Sequence, residues 1–163
     1  MPIPRRSWRS WSPWLLCSNL IIWPPSERLR SRAPQLPQVA CFDTSFHRTQ
    51  PWVAEAFALP RRYTAEGARR DGFLGLSYEY IASVLPTLDA GGEFERTVVA
   101  HLGNGASMCA LGSCKSIATT MGLSAIDGLP MGTRCGSIDP GVLLYFLSSG
   151  GLDQERLGPD AIS

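Results

Sequence analysis

Two short segments of this sequence carry residue types suited to catalysis or to phosphate binding. Asp43 follows a brief apolar run and precedes the hydroxyl of Thr44, a frequent place for a catalytic carboxylate and an equally frequent helix start. The turn sequence Gly103-Asn104-Gly105 leaves backbone N–H groups with no large side chain in front of them, so that a phosphate could approach closely. The same tripeptide also predicts a plain hairpin turn, since Asn-Gly is the commonest hairpin signal.

A third segment centres on Arg134, which lies in a loop flanked by Gly132 and Gly136. A guanidinium in such a loop suits a phosphate or a carboxylate, because its planar fork of N–H donors matches both anions. The alternative is an arginine that pairs with a structural acid, for which Asp139 is the nearest candidate along the chain.

The elements that precede the glycine-rich turn are predicted from apolar spacing and breakers. Residues 39–42 predict a buried strand, residues 51–59 a helix, and residues 61–72 a charged surface loop. A second helix is predicted over residues 77–85, with Ser77 as its cap and Pro86 as its end. Its inward face is predicted to carry Tyr80, Ile81 and Val84.

From residue 97 the pattern becomes that of β-structure. Residues 97–102, 106–111 and 115–120 predict three short strands separated by turn residues, and therefore an antiparallel meander. A glycine-punctuated loop over residues 122–140 leads into a helix predicted at residues 141–149. The order of strand, helix, meander and helix favours an α/β domain with a mixed sheet.

Composition excludes several classes of protein. A net charge of +1 gives no nucleic-acid footprint over the whole chain, and five cysteines without a C-x-x-C pair favour reduced thiols over a disulfide framework or a metal site. The longest apolar stretch, residues 14–23, is half of the roughly 20 residues that a bilayer requires. With the arginines ahead of it, this stretch also resembles an export signal, although it lacks a clear cleavage site.

Residues 1–35 form an atypical leader. Residues 1–32 hold six arginines against one acid, and the remainder of the chain holds nine bases against thirteen acids. We interpret residues up to about Arg30 as a segment read in a shifted frame. Fourteen arginines to one lysine indicate GC-rich coding, and with C or G at third codon positions residues 12–23 can be read in another frame as Pro-Leu-Ala-Pro-Leu-Gln-Gln-Pro-His-His-Leu. The nucleotide sequence of the locus tests this interpretation.

Four motifs together resemble the acetate kinase family, in the order and approximate spacing of that family. They are Phe42-Asp-Thr-Ser-Phe-His47, His101-Leu-Gly-Asn-Gly-Ala-Ser107, Thr120-Met-Gly122, and Met131-Gly-Thr-Arg134 with Ile138-Asp-Pro140. The resemblance implies an incomplete actin-like (ribonuclease H-like) α/β fold. It also implies transfer of the ATP γ-phosphoryl group to acetate with Mg²⁺, or to propionate or butyrate in a close relative.

The resemblance assigns roles to matching positions. Asp43 falls on the catalytic carboxylate, and Arg134 on the arginine that stabilises charge on the transferring phosphoryl group. The nucleotide-binding hairpin falls on five consecutive residues, which are His101, Leu102, Gly103, Asn104 and Gly105. No metal ligand is assigned.

One position departs from the family pattern. Leu74 stands where the family has a histidine, and leucine offers no hydrogen bond to a phosphoryl oxygen. Loss of one such donor typically slows a reaction on the order of a hundredfold or more.

Residues 41–162 resemble the middle third of a family member, so that the chain is expected to be an inactive fragment or a non-catalytic nucleotide-binding remnant. We expect residues 36–96 to hold the end of a first domain and residues 97–163 the start of a second. The family further implies a cytoplasmic homodimer that binds acetate or acetyl phosphate and ATP or ADP, with no nucleic-acid or membrane partner.

Overall fold

The computed structural model describes residues 25–39, 41–88 and 95–149. The chain divides into two units, Met1–Cys41 and Phe42–Ser163. In the first unit, residues 25–32 form helix α1, and the side chain of Gln38 donates to the carbonyl of Ser26 at 3.3 Å. The apolar leader stretch and most of residues 1–35 lie outside the described residues.

The second unit begins with a 3-10 helix, Ser45–Thr49, followed by the short helices α2, Trp52–Glu55, and α3, Arg61–Ala65. The strand predicted at residues 39–42 is wrong, because residues 39, 41 and 42 form no ladder. Helix α2 ends sooner than predicted since Ala56 turns to extended backbone and pairs with Arg69. The segment predicted as a loop at residues 61–72 therefore contains both a helix and a β-bridge.

Helix α4, Gly75–Leu88, is longer than predicted at both ends. It starts before Ser77 because the Asp43 carboxylate accepts from the backbone N–H groups of Leu74 and Leu76, at 2.6 and 3.4 Å. A cap from a distant segment thus replaces the local one that the sequence predicts. Pro86 lies inside the last turn, where the Thr87 hydroxyl donates to the carbonyl of Val84 at 2.7 Å.

The predicted meander is confirmed. Strands β1, Arg96–Leu102, β2, Ala106–Gly112, and β3, Lys115–Thr119, form one antiparallel sheet in the order β1-β2-β3. The sheet is antiparallel throughout in the part of the chain that the structure describes, so the mixed sheet is not seen there. The predicted last helix is also confirmed as α5, Pro140–Ser148, which the Asp139 side chain caps.

The core lies between α4 and one face of the sheet. Tyr78 and Ala82 of the helix pack against Cys109 and Leu111 of β2. The predicted inward face of α4 is therefore wrong at Tyr80, which is 66% exposed. Ile81 and Val84 are only partly buried.

The opposite face of the sheet is apolar and open to solvent. This outer sheet face consists of side chains that alternate with the buried ones along the strands, and Val98 and Leu102 of β1 are 64% and 76% exposed. Met108 of β2 and Ile117 of β3 extend the same surface. Among the described residues β1 also has no partner along its other edge.

The β2–β3 hairpin gives a first testable prediction. Its two turn residues, Ser113 and Cys114, both have positive φ, 49° and 61°, as a type I′ turn requires. Because asparagine tolerates this region better than serine, Ser113→Asn should raise the stability by about 0.5 kcal/mol, a gain of roughly 1–2 °C in Tm. Ser113→Val should lower the Tm, and thermal unfolding followed by circular dichroism measures both. An unchanged Tm in the valine variant would contradict the turn assignment.

Candidate functional site

The side chain of Asp43, from a segment outside the helix, contacts the N-terminal end of α4. Its carboxylate accepts from the N–H groups of Leu74 and Leu76, and its backbone carbonyl accepts from the N–H of Gly75 at 2.9 Å. The positive end of a helix dipole favours a negative charge at this point. The local helix start that the sequence offered as the alternative for Asp43 is not seen, because the following 3-10 helix begins after Thr44 without a side-chain cap, and the partly accessible carboxylate bonds instead to the distant helix α4.

The β1–β2 hairpin turns at Gly103-Asn104-Gly105. The N–H of Gly103 donates to the carbonyl of Gly105 at 3.1 Å, so this group serves the turn itself. Within the described residues the N–H groups of Asn104 and Gly105 have no backbone acceptor, which leaves two donors at the tip for an anion. The hairpin is thus both a regular turn and a surface that a phosphate could approach.

Arg134 reaches this hairpin. A β-carbon built on Gly105 would lie 3.9 Å from both Nη1 and Nη2 of Arg134, and also 3.9 Å from Cδ2 of Leu74. The predicted alternative, a pair with Asp139, is not formed: Nη1 donates to the carbonyl of Ala125 at 3.0 Å, and Asp139 caps α5. Leu74, which is hydrogen-bonded to Asp43, and Arg134 therefore both lie close to Gly105 of the hairpin.

Leu74 has backbone φ of 61°, a left-handed conformation that is unusual for a branched side chain. Its N–H holds Asp43, while its side chain packs between the core and the glycine of the hairpin. The residue that departs from the family pattern thus lies at the centre of the predicted site, and it presents only hydrocarbon there.

His101 is held by α4. Its Nδ1 lies 2.9 Å from the hydroxyl oxygen of Ser77, and its Nε2 lies 3.4 Å from the position of a β-carbon on Gly103. Leu102 and Gly103 are exposed, and the Leu102 side chain belongs to the outer sheet face, away from α4. The structure thus brings Asp43, His101 and the Gly103–Gly105 turn together with the loop of Arg134, while the side chain of Leu102 lies apart.

The loop that carries Arg134 depends on Asp127, which the sequence did not single out. Its carboxylate accepts from Arg70 Nη1 at 3.2 Å, from the Ser137 hydroxyl at 2.7 Å, and from the N–H of Gly128. Arg70 in turn lies over the ring of Phe57 at 4.7 Å. No sequence signal identified Asp127, because only Gly128 is its neighbour in sequence, while Arg70 and Ser137 come from other segments.

A buried polar network lies beneath the site. His47, at 1% exposure, has its Nε2 2.9 Å from the carbonyl of Phe73 and its Nδ1 2.9 Å from the hydroxyl of Ser116. The carbonyl can only accept, so Nε2 carries a proton and donates it. Burial lowers the pKa of His47, partly offset by the hydrogen bond to Phe73 and the charge of Asp43. Burial likewise raises the pKa of Tyr78, whose hydroxyl bonds to that of Ser107.

The lowered pKa of His47 predicts a pH dependence. The unfolded chain binds a proton on this histidine near pH 6.5, whereas the folded chain resists it, so stability is full above that pH and falls as the pH drops towards the folded pKa. The slope for one proton approaches about 1.4 kcal/mol per pH unit. Chemical unfolding between pH 7.5 and 5 should show this loss in the wild type and a flatter profile in His47→Gln. Ser83→Ala, at an exposed position of α4 without a titratable group, is the control and should keep the wild-type slope. Equal slopes in wild type and His47→Gln would contradict the assignment.

Described residues contain no helix of the length and apolar character needed to cross a membrane, and no group of three metal-ligating side chains.

The solved structures that this chain resembles include a propionate kinase and an acetate kinase. The chain superimposes on the structure of a propionate kinase from Francisella tularensis with a TM-score of 0.79 and 36% identity, over 85% of this chain and 36% of that protein. Acetate kinase from Porphyromonas gingivalis gives a TM-score of 0.74 and 33% identity, over 83% and 34% of the two chains. The fold is therefore the incomplete α/β actin-like domain that the resemblance implied.

The sequence relatives then define the family. The profile of the acetokinase family matches residues 25–158. Acetate kinases from Rhodopseudomonas palustris (strain ATCC BAA-98 / CGA009) and Nitrobacter hamburgensis are 62% and 56% identical, over 74% and 81% of this chain. This protein belongs to the acetokinase family. It spans about a third of the length of these relatives, 31% and 33%.

Proposed function

We propose that this chain carries the nucleotide-binding part of an acetate kinase, the enzyme that transfers the γ-phosphoryl group of ATP to acetate to give acetyl phosphate and ADP. The observation that supports it is the position of the Arg134 guanidinium, which lies 3.9 Å from the place of a β-carbon on Gly105, near the two N–H groups of the turn that have no backbone acceptor. Both kinds of donor suit phosphate oxygens, and phosphoryl transfer depends mainly on such positioning and charge neutralisation.

Each residue then has a distinct part. Asn104 and Gly105 bind phosphate oxygens through the backbone, and Arg134 stabilises the charge on the transferring group. Asp43 faces the acyl end of the site. Mg²⁺ typically takes one or two carboxylates together with phosphate oxygens and water, and the bound ion would neutralise phosphate charge. Asp43 fits as its protein ligand among the described residues, since each carboxylate oxygen has lone pairs beyond those used by Leu74 and Leu76.

Leu74 makes this chain a poor catalyst. Its side chain occupies the space beside Gly105 and Arg134 without a hydrogen-bond donor. We therefore expect nucleotide binding to persist and phosphoryl transfer to fall by on the order of a hundredfold from this residue alone. The two-thirds of a family member that the chain does not match would have to supply the remaining groups of the site.

The alternative is that the same phosphoryl transfer uses propionate or butyrate instead of acetate as its acceptor. The similarity to the propionate kinase structure supports this alternative. A non-catalytic nucleotide-binding remnant is the second class. Cytoplasmic location, homodimer assembly, and the absence of nucleic-acid and membrane partners are proposed from the family.

Two assays on the full chain test the proposal. Equilibrium dialysis with labelled ATP should show binding that Arg134→Ala weakens by roughly tenfold. Arg96→Ala, at an exposed arginine on the opposite end of β1 from the hairpin, is the control and should leave binding unchanged. Absence of ATP binding by the wild-type chain would refute the proposal.

The second assay traps acetyl phosphate as its hydroxamate. We expect no product above background, and no rescue by Leu74→His, because the chain matches about a third of its relatives. Robust turnover by the wild-type chain would refute the expected inactivity while supporting the assignment to the family's reaction.

A further inference from the structure

The first turn of α4 holds the phosphate-facing hairpin at two points. The Ser77 hydroxyl lies 2.9 Å from Nδ1 of His101 at the end of β1. One residue later, the Tyr78 hydroxyl bonds to that of Ser107, which pairs with His101 across the ladder. Because Tyr78 and Ser107 are fully buried, their bond fixes the backbone of the hairpin. The bond from Ser77 reaches only the ring of His101.

The ring has two chemically different edges. With Nδ1 turned to Ser77, Nε2 faces Gly103 at the start of the open turn. A neutral imidazole carries one N–H, so the nitrogen that faces the turn is a donor only if Nδ1 is the acceptor. A serine hydroxyl can donate to Nδ1 and thereby select the form with hydrogen on Nε2.

We propose that Ser77 is a positioning residue for phosphate binding. Its hydroxyl donates to Nδ1 of His101 and so presents the Nε2–H donor beside Gly103, in the same turn as the two backbone donors. This inference rests on the proposed function for its ligand, and it adds to that function a residue outside the hairpin that sets the donor state of His101. Because Asp43 caps the same turn of α4, the helix start aligns the carboxylate and the phosphate donors with one another.

The ligand-free chain gives the first test. The sequence holds only two histidines, so the ring nitrogens of a ¹⁵N-labelled sample are assigned by comparison with His47→Gln. We expect hydrogen on Nε2 of His101 and a hydrogen-bonded acceptor at Nδ1, and we expect the Nδ1 resonance to shift in Ser77→Ala. A protonated Nδ1 at neutral pH, or an unchanged resonance in the variant, would overturn the proposal.

ADP binding gives the second test. Ser77→Ala should weaken ADP binding on the order of fivefold, which is the effect of one neutral hydrogen bond, while Ser77→Thr should restore it. Ser83→Ala, on the exposed side of the same helix, is the matched control and should bind like the wild type. The decisive comparison is in a His101→Ala background, where Ser77→Ala should have no further effect.

An equal loss in both backgrounds would show that Ser77 acts without His101 and would overturn the inference. If the wild-type chain does not bind ADP, the proposed function fails, while the ring resonances still decide whether Ser77 sets the state of His101.

Discussion

Gly75→Ala should lower the free energy of unfolding by about 3 kcal/mol, a drop of roughly 10 °C in Tm. A β-carbon at this position would overlap the backbone carbonyl oxygen of Asp43 and would lie 3.2 Å from Cβ of Phe46. The overlap is with backbone, so no side-chain rotation relieves it. The segment of Asp43 must move away from α4, and the hydrogen bonds from Leu74 and Leu76 to its carboxylate must lengthen.

Gly132→Ala is the matched control for this substitution. Gly132 lies in the loop of Arg134, and a β-carbon there has no neighbour within 4 Å. Its Tm should stay within about 2 °C of the wild type, since surface substitutions usually change stability by less than about 0.5 kcal/mol. A Gly75→Ala variant that unfolds together with this control would show that Asp43 does not pack against the helix start.

Tyr78→Phe should cost about 1–3 kcal/mol although it removes a single oxygen atom. Tyr78 and Ser107 are both fully buried and their hydroxyls bond to each other. Phenylalanine would leave the Ser107 hydroxyl buried with its partner lost, and this desolvation term exceeds the contribution of an average hydrogen bond. Urea unfolding of the full chain measures the loss.

A double-mutant cycle separates the hydrogen bond from packing. Ser107→Ala should also destabilise, and the double variant should cost less than the sum of the two, with a coupling of about 1 kcal/mol. Tyr145→Phe, on an exposed tyrosine of α5, should leave the stability unchanged. Strict additivity in the cycle would rule out the bond between the two hydroxyls.

The β-structure and the last helix could be predicted because their signals are local. Turn residues at Gly103–Gly105 and near Gly112-Ser113 predicted the breaks between strands, although the second turn lies one residue later, at Ser113-Cys114, and the strands show apolar residues at short spacing. Helix α5 was predicted from residue 141 between glycine-rich segments, and its observed start has Asp139 as cap and Pro140 as first residue, which are also local features. None of these features requires knowledge of what packs against them.

The buried side of α4 could not be predicted, because two apolar stripes share its surface. Tyr78, Ala82 and Leu85 follow helical spacing, and so do Leu76, Tyr80 and Leu88 on another side. The first side is the buried one because Tyr78 packs against Cys109 and Leu111 of the sheet. The predicted start of α4 at Ser77 was wrong for the same reason, since the helix is capped by Asp43, more than thirty residues earlier.

In the candidate site, too, the residues in local motifs could be predicted and those that depend on distant partners could not. Motifs and resemblance identified Asp43, the hairpin and Arg134, and the structure brings them to one edge; their catalytic and binding roles stay predictions. The residues that support them, Ser77 and Asp127, are ordinary polar positions in sequence. Only the approach of distant segments gives them partners, so pattern analysis of one chain could not find them.

The exposed outer sheet face should make the chain prone to aggregation and to recognition by chaperones and proteases in a cell. Apolar side chains at Val98 and Leu102, on a strand whose second edge is unpaired among the described residues, form the kind of surface on which strands of other molecules add. Chaperones and proteases recognise such surfaces. The abundance of this protein is therefore expected to depend on quality control, and a charged substitution such as Val98→Lys should increase its soluble yield.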